Sequence, residues 1–359
     1  MSTISKKDFG CLADGRPVFL YTLTNAKGTA LSVCTYGGHV QALQTECADG
    51  TVVDVVLGYD NLEAYVGEDK YIGALIGRCG NRIARGRLHV GGKDYQLECN
   101  NGRNHLHGGT LTGYNKKLWQ AEETTDGLKL TYTSPDGEGN YPGNLQVAVW
   151  YDLTDDDAVV IRYEAVSDAD TICNLTNHTY FNLNGYDSGS VLDQEIQLFS
   201  DFFTESDVES LPNGNIVNVA GTPMDLRELT PIGRHIDDDY SQLQQGHGYD
   251  HNWIIRRDEL QAVGTAYGTV YPMAYAIGNR TGITLTAYTS QPGVQFYTGN
   301  YLDGTPVGKG GAVFGRRSGF CLEAQYYPNA LEHPEFPQPV LKKGDMWKAV
   351  TIYKLGHIK

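Results

Sequence analysis

The chain has 359 residues, 40% hydrophobic and 11% aromatic, enough to bury a core and too much for a disordered or fibrous polymer. Its 28 Lys and Arg against 43 Asp and Glu leave a formal charge of −15. That balance argues against a phosphate-tracking nucleic-acid surface and against docking on anionic membranes.

From the N-terminus, MSTISKKDFG has two lysines but no apolar run behind them, so it does not read as a secretory signal. No apolar stretch approaches the ~18 residues that span a bilayer. The seven cysteines include no C-x-x-C pair, which points to reduced thiols and a cytoplasmic protein rather than a disulfide framework or zinc cage. With 43 glycines and 24 tyrosines, tight turns between strands are expected rather than long helices. One of the few helical candidates is ALIGRCGNRIA (74–84), which has partial 3.6-residue spacing against two interior glycines. Its neighbourhood holds Arg78, Arg82, Arg85 and Arg87. For Arg78, Arg85 and Arg87 a surface position paired with acids is the favoured expectation. Residues 87–98 read as a hairpin around Gly91-Gly92. In RNHLHGG (103–109), His105 and His107 share a strand face if the segment is extended. No H-E-x-x-H or cysteine accompanies them, so hydrogen bonding to ligand hydroxyls is favoured over metal.

Farther along, GLKLTYT (127–133), NLQVAVWYDL (144–153) and AVVIRYEAV (158–166) alternate as strands, the last two joined by an acidic turn at Thr154–Asp157. Read as one strand, TICNLTNHTYFNL (171–183) puts His178, Tyr180 and Asn182 on one face and Phe181 and Leu183 on the other. GYDHNW (248–253) sets Asp250 between a tyrosine and a histidine. GITLTAYT (282–289) alternates again, and QPGVQFYTGN (291–300) supplies Gln291 and Gln295. In GFCLEAQYYPNA (319–330), Phe320, Leu322 and Ala324 oppose Cys321, Glu323 and Gln325. A lone carboxylate among apolar residues needs partners or a changed pKa. HPEFPQP (333–339) has a linker's prolines, but MWKAVTIYKL follows as a last strand, so residues 1–359 read as one domain. Strands spaced by roughly 8–15 residues, with turn signals between them, predict an all-β sandwich or barrel. Neither G-x-x-x-x-G-K-[ST] nor G-x-G-x-x-G occurs, so nucleotide binding is unsupported. Asp, Asn, Arg, His and Gln interleaved with aromatics are the residue types of sugar sites, where hydroxyls need paired donors and acceptors.

Eight segments together carry a specific resemblance: VVLGYDNLEAY, YIGALIGRCGNRIARGRL, NHLHGG, SPDGEGNYPG, LTNHTYFNL, GYDHNW, QPGVQFYTGN and GFCLEAQYYPNA. In this order and over nearly the full length, the chain resembles the aldose 1-epimerase (galactose mutarotase) family. The resemblance implies a large, mainly antiparallel β-sandwich, no cofactor, no metal, and a free monosaccharide as substrate. It implies a monomer or homodimer with neither nucleic acid nor membrane as partner. Carried over by motif, His178 is the general acid and Glu323 the general base. Asn81, Arg82, His107, Tyr180, Asp250 and Gln291 are the implied substrate contacts.

The implied reaction opens and recloses a pyranose ring, with one proton taken from the C1 hydroxyl and one given to the ring oxygen. Charge on Glu323 or Asp250 is expected to favour the His178 imidazolium. Three alternatives stand beside this reading: a sugar-binding module without chemistry, a glycoside hydrolase using Asp250 and Glu323, and a hexose-6-phosphate 1-epimerase of related fold.

Overall fold

A computed structural model describes residues 2–47, 49–259 and 261–358. Alternation of apolar and polar side chains decides most of it. In Leu145–Leu153 the residues Leu145, Val147, Val149 and Tyr151 are buried while Gln146 is exposed. The strand pairs antiparallel with Ala158–Ser167, and on the outer face the Arg162 guanidinium lies 4.8 Å from the Trp150 ring across the pair. The acidic turn between them closes with Asp157 at φ 64°, and its carboxylate accepts from Asn25, Lys27 and Thr29.

These two strands sit within a ten-stranded sheet. Its order runs Gln120–Glu123, Gly127–Ser134, Leu145–Leu153, Ala158–Ser167, Met346–His357, Ile283–Thr289, Gly268–Ile277, Glu195–Leu198 and Thr230–Pro231, with Val263–Thr265 paired to Gly268–Ile277. A six-stranded sheet is ordered Tyr180–Phe181, Phe320–Gln325, Gly293–Tyr297, Asp250–Ile254, Phe202–Ser206 and Pro212–Asn218. Residues 3–54 add a five-stranded meander. The main core cluster draws on all three, with Leu23 and Leu31 from the meander, Tyr151 and Leu285 from the large sheet, and Phe296 and Leu322 from the smaller. The two larger sheets meet face to face where the Tyr353 hydroxyl donates to the Leu322 carbonyl (2.7 Å) and the Phe181 and Tyr353 rings pack 5.0 Å apart. The fold is therefore the expected all-β sandwich. Among the described residues the α-helices are Leu62–Gly67 and Ser241–Gly246, and no helix is long and apolar enough to cross a membrane.

Three local expectations fail. The helical candidate 74–84 is instead two short strands, Ala74–Ile76 and Arg82–Ile83, which pair with Thr176–His178 and His105–Leu106. Tertiary pairing wins there, and Gly77 is packed so tightly that a Cβ would lie 2.4 Å from the Tyr114 ring. Arg78 is not on the surface. It is 2% exposed, and its guanidinium donates to Ser134, to the Pro142 carbonyl and to Thr171. The run 171–183 is not one strand. Thr171–Ile172, Thr176–His178 and Tyr180–Phe181 each pair with a different partner.

The Pro-rich stretch is packed rather than a linker. Phe336 lies edge-on to Tyr327, and Val340–Leu341 pairs with Thr171–Ile172.

Candidate active site

The smaller sheet has one face in the core and the other turned to a pocket. Parity sets this in three adjacent strands. Phe320, Leu322 and Ala324 join the core while Cys321, Glu323 and Gln325 face away, as expected; Val294 and Phe296 oppose Gln295 and Tyr297; Trp253 opposes Asp250 and Asn252. The polar face is nevertheless buried, because loops carrying Tyr71, Asn81 and His107 and the short strands carrying Arg82 and His178 fold over it. Between sheet and loops lies a cavity of about 390 Å³. Of the eight expected site residues, seven line it: Asn81, Arg82, His107, His178, Tyr180, Asp250 and Glu323.

At its floor, Nε2 of His178 is 3.6 Å from Oε1 of Glu323. Both side chains are buried, and Oε2 of Glu323 has no hydrogen-bond partner among the described residues. Burial pushes the Glu323 carboxyl well above the usual carboxylate range, the Asp250 charge adds to this, and Arg82 opposes it. Burial also pushes His178 down, to about 4. The direction is opposite to the one expected from neighbouring carboxylates, because desolvation of the ring is the dominant cause. The two groups titrate as a pair.

His107 sits with its ring 5.4 Å from that of His178, nearly perpendicular. It does not share a strand face with His105. The strand ends at Leu106, and His107 turns at φ 52°. His105 points the other way, donating from Nδ1 to the Glu98 carbonyl (2.7 Å) and accepting from the Tyr141 hydroxyl at Nε2 (2.6 Å). The Asn81 backbone N–H donates to Nδ1 of His107 at 3.1 Å. A backbone amide can only donate, so the ring is neutral with its proton on Nε2, in keeping with a pKa held well down by burial. His107, His178 and Glu323 offer atoms within 4.8 Å of one another, a spacing one cation could bridge. The tautomer of His107 opposes that use, since its remaining nitrogen carries hydrogen instead of a lone pair.

Asp250 and Asn81 are tied together behind the cavity by amides. Gln295 donates to Asp250 (2.7 Å), Gln325 donates to Gln295 (3.1 Å) and Asn252 (3.2 Å), and Asn81 donates to Gln325 (3.4 Å). Arg82 is held by Nε donating to Asn101 (3.0 Å). Tyr180 presents its ring, while its hydroxyl donates to the Lys70 carbonyl (2.8 Å). Two expectations do not reach the cavity. Asn182 donates to the Gly189 and Ser318 carbonyls. Gln291 is not among the residues lining the cavity and donates to the carbonyls of Leu175 (2.9 Å) and Ala324 (3.3 Å). It braces the segment carrying His178 against the strand carrying Glu323, in place of the direct substrate contact expected of it.

The aldose 1-epimerase family profile matches residues 20–354. The chain belongs to the aldose 1-epimerase family. A galactose mutarotase from Mus musculus is 38% identical over 356 residues, spanning 99% of both chains. An aldose 1-epimerase from Escherichia coli (strain K12) is 34% identical over 346 residues, 95% of this chain and 96% of the relative. The crystal structure of galactose 1-epimerase from Lactobacillus acidophilus NCFM superposes with a TM-score of 0.85 at 28% identity, covering 100% of each chain. Membership makes this chain a carbohydrate isomerase with a small sugar as substrate.

In this epimerase the cavity also holds residues that reading the sequence missed. Tyr71 packs 4.7 Å from the His107 ring and 5.8 Å from the His178 ring; Tyr297 and Tyr301 stack at 6.3 Å, and Lys70 and Asn101 also line the cavity. Strand parity from Gln295 would have found Tyr297. Tyr71, in a left-handed turn at φ 58°, carries no such signal.

Proposed function

We propose that this enzyme interconverts the α and β anomers of free aldohexoses such as galactose and glucose, with Glu323 as general base and His178 as general acid. One observation carries the assignment: a buried carboxylate with an unpartnered oxygen stands 3.6 Å from a buried imidazole on the floor of a polar cavity. Oε2 of Glu323 is the open position for the C1 hydroxyl. It takes that proton as the C1–O5 bond breaks and the electron pair moves to O5. O5 takes the proton from Nε2 of His178. Rotation about C1–C2 in the open-chain aldehyde, then reversal of both transfers, gives the other anomer. The intermediate is neutral, so the chain's own residues suffice.

Asn81, Arg82, His107 and Asp250 hold the sugar hydroxyls. His107 donates from Nε2 and Asp250 accepts, and the tyrosine rings offer faces for the sugar's C–H groups. The resting pair shares one proton, and the reactive arrangement has it on His178. A C1 hydroxyl donating to Glu323 favours the ionised carboxylate and so that arrangement.

A core that runs from Tyr21 to Leu355 supports reading residues 1–359 as one domain, and seven unpaired cysteines support a cytoplasmic location. The test is polarimetry on freshly dissolved α-galactose. Fast relaxation to the equilibrium rotation with the wild type, and none with Glu323→Gln, supports the assignment. Binding without acceleration by the wild type, or acceleration only of a 6-phosphorylated sugar, overturns it.

A further inference from the structure

Both ring nitrogens of His178 are addressed from a single strand. Oε1 of Glu323 lies 3.6 Å from Nε2 and Sγ of Cys321 lies 3.5 Å from Nδ1, and the two residues are on the same face of Phe320–Gln325. Cys321 has no exposed surface. We propose that Cys321 is a positioning residue for the acid: its sulfur accepts from the Nδ1–H, which the ring keeps both when it is charged and when it is neutral, so that Nε2 alone gives and takes the proton. Nε2 is thereby kept facing the reacting oxygens through both halves of the cycle. The proposal rests on the reading of His178 as general acid.

The chemistry of the partner matters. A thiol is both a weak donor and a weak acceptor. A carboxylate in its place would only accept, and would stabilise the imidazolium against giving up its proton. A thiol sulfur is a weak, neutral acceptor, which holds the Nδ1–H in place without that cost. Burial, with the Glu323 and Asp250 charges adding to it, keeps the sulfur protonated, so the Nδ1–H meets a neutral thiol rather than a thiolate.

The other side chains facing the ring are those of His107, Tyr71, Tyr180 and Tyr297, with ring centroids at 5.4, 5.8, 5.0 and 6.1 Å, and the backbone of His178 itself adds a contact that favours the charged ring. They wall the imidazole by faces and edges. Among the described residues, Cys321 is the one whose side-chain polar atom is bonded to Nδ1.

The experiment compares wild type, Cys321→Ala, Cys321→Val and Cys321→Ser by polarimetry on α-galactose, recording kcat, KM and the pH profile, with a thermal melt of each. Loss of the partner in Cys321→Ala and Cys321→Val is expected to lower kcat about tenfold, equivalent to about 1.4 kcal/mol. KM should stay within about twofold, because the contacts to the hydroxyls are untouched. The alkaline limb should move to lower pH, because the imidazolium has lost an acceptor. Cys321→Ser, whose hydroxyl oxygen can again accept from Nδ1–H, should recover kcat to within about threefold of wild type. Should Cys321→Ala fail to fold, Cys321→Val and Cys321→Ser, both close to cysteine in volume, make the same comparison. Wild-type kcat and pH profile in Cys321→Val, or a serine variant as impaired as the valine one, overturns the proposal alone. A wild type that does not accelerate mutarotation overturns the functional reading and this proposal with it.

Discussion

Replacing Glu323 by glutamine should push activity and stability in opposite directions. The variant keeps the shape of the side chain and removes its charge and basicity. A positioned base is worth on the order of 10²–10⁴-fold, so the barrier should rise by about 2.7–5.4 kcal/mol at about 1.36 kcal/mol per tenfold. Stability answers to the other side of the same burial. The Glu323 carboxyl is held well above its ordinary value, chiefly by desolvation, and one oxygen has no partner. Below the unfolded value near ~4.3 the group is protonated in both states and costs nothing. As pH rises from there towards the raised folded value, the unfolded chain releases its proton first. Folding stability then falls by about 1.4 kcal/mol for each pH unit crossed. Glutamine has no such titration. Polarimetry on α-galactose should therefore show turnover down by at least about a hundredfold. Melting curves should coincide with wild type near pH 4 and lie above it at pH 8. Turnover within tenfold of wild type, or a melting difference that ignores pH, would refute the reasoning.

Three further outcomes follow from the same structure. The pH profile of kcat/KM should be bell-shaped, falling at acid pH as the His178–Glu323 pair takes a second proton and at alkaline pH as it loses its only one; a flat profile from about pH 4 to 10 would remove the two-group scheme. Glu68 is 3% exposed, has one oxygen without a partner among the described residues, and is pushed by burial up to about 7, so Glu68→Gln should stabilise the fold at pH 8 by on the order of 3–4 kcal/mol and leave it unchanged near pH 4. Urea titrations at the two pH values measure it, and an equal gain at both would count against the burial argument. Gln291→Met leaves the Leu175 and Ala324 carbonyls short of a donor, which should lower stability by about 1–3 kcal/mol. It should also lower kcat with little change in KM, whereas a rise in KM alone would return Gln291 to the sugar contacts.

The division between what the sequence revealed and what it hid follows the reach of each signal. Parity in a central strand is strict, since a shift of one residue would expose the core face. Hence alternation alone sets Glu323 and Cys321 opposite Leu322. Parity fails where a segment changes partners. His178 and Tyr180 reach the cavity, but Asn182, two residues on, is already fixed to Gly189 and Ser318. His107 escaped the same rule because its strand stops one residue short of it. Arg78 was misplaced because charge alone suggests a surface, while three separate segments supply the acceptors that bury it. Those acceptors lie 56 to 93 residues away, beyond any local pattern.

What motif and parity together could not supply is the sign of the electrostatics. Proximity of carboxylates to His178 suggests a charged imidazole, yet burial pushes the ring down to about 4 and Glu323 up. Both displacements disfavour the ion pair that the reaction needs. A substrate hydroxyl donating to the unpartnered Oε2 repairs that, because a hydrogen bond to the carboxylate favours its charged form. Part of the binding energy is thereby directed to the reacting atoms instead of to uniform affinity. On this reasoning a 1-deoxy sugar, which cannot donate from C1, should bind without drawing the proton from Glu323 to His178. Difference infrared spectroscopy of the carboxyl band would then show the protonated acid persisting with the 1-deoxy sugar and diminishing with galactose. The same protonated signal in both complexes would mean that the substrate does not set the protonation of the pair.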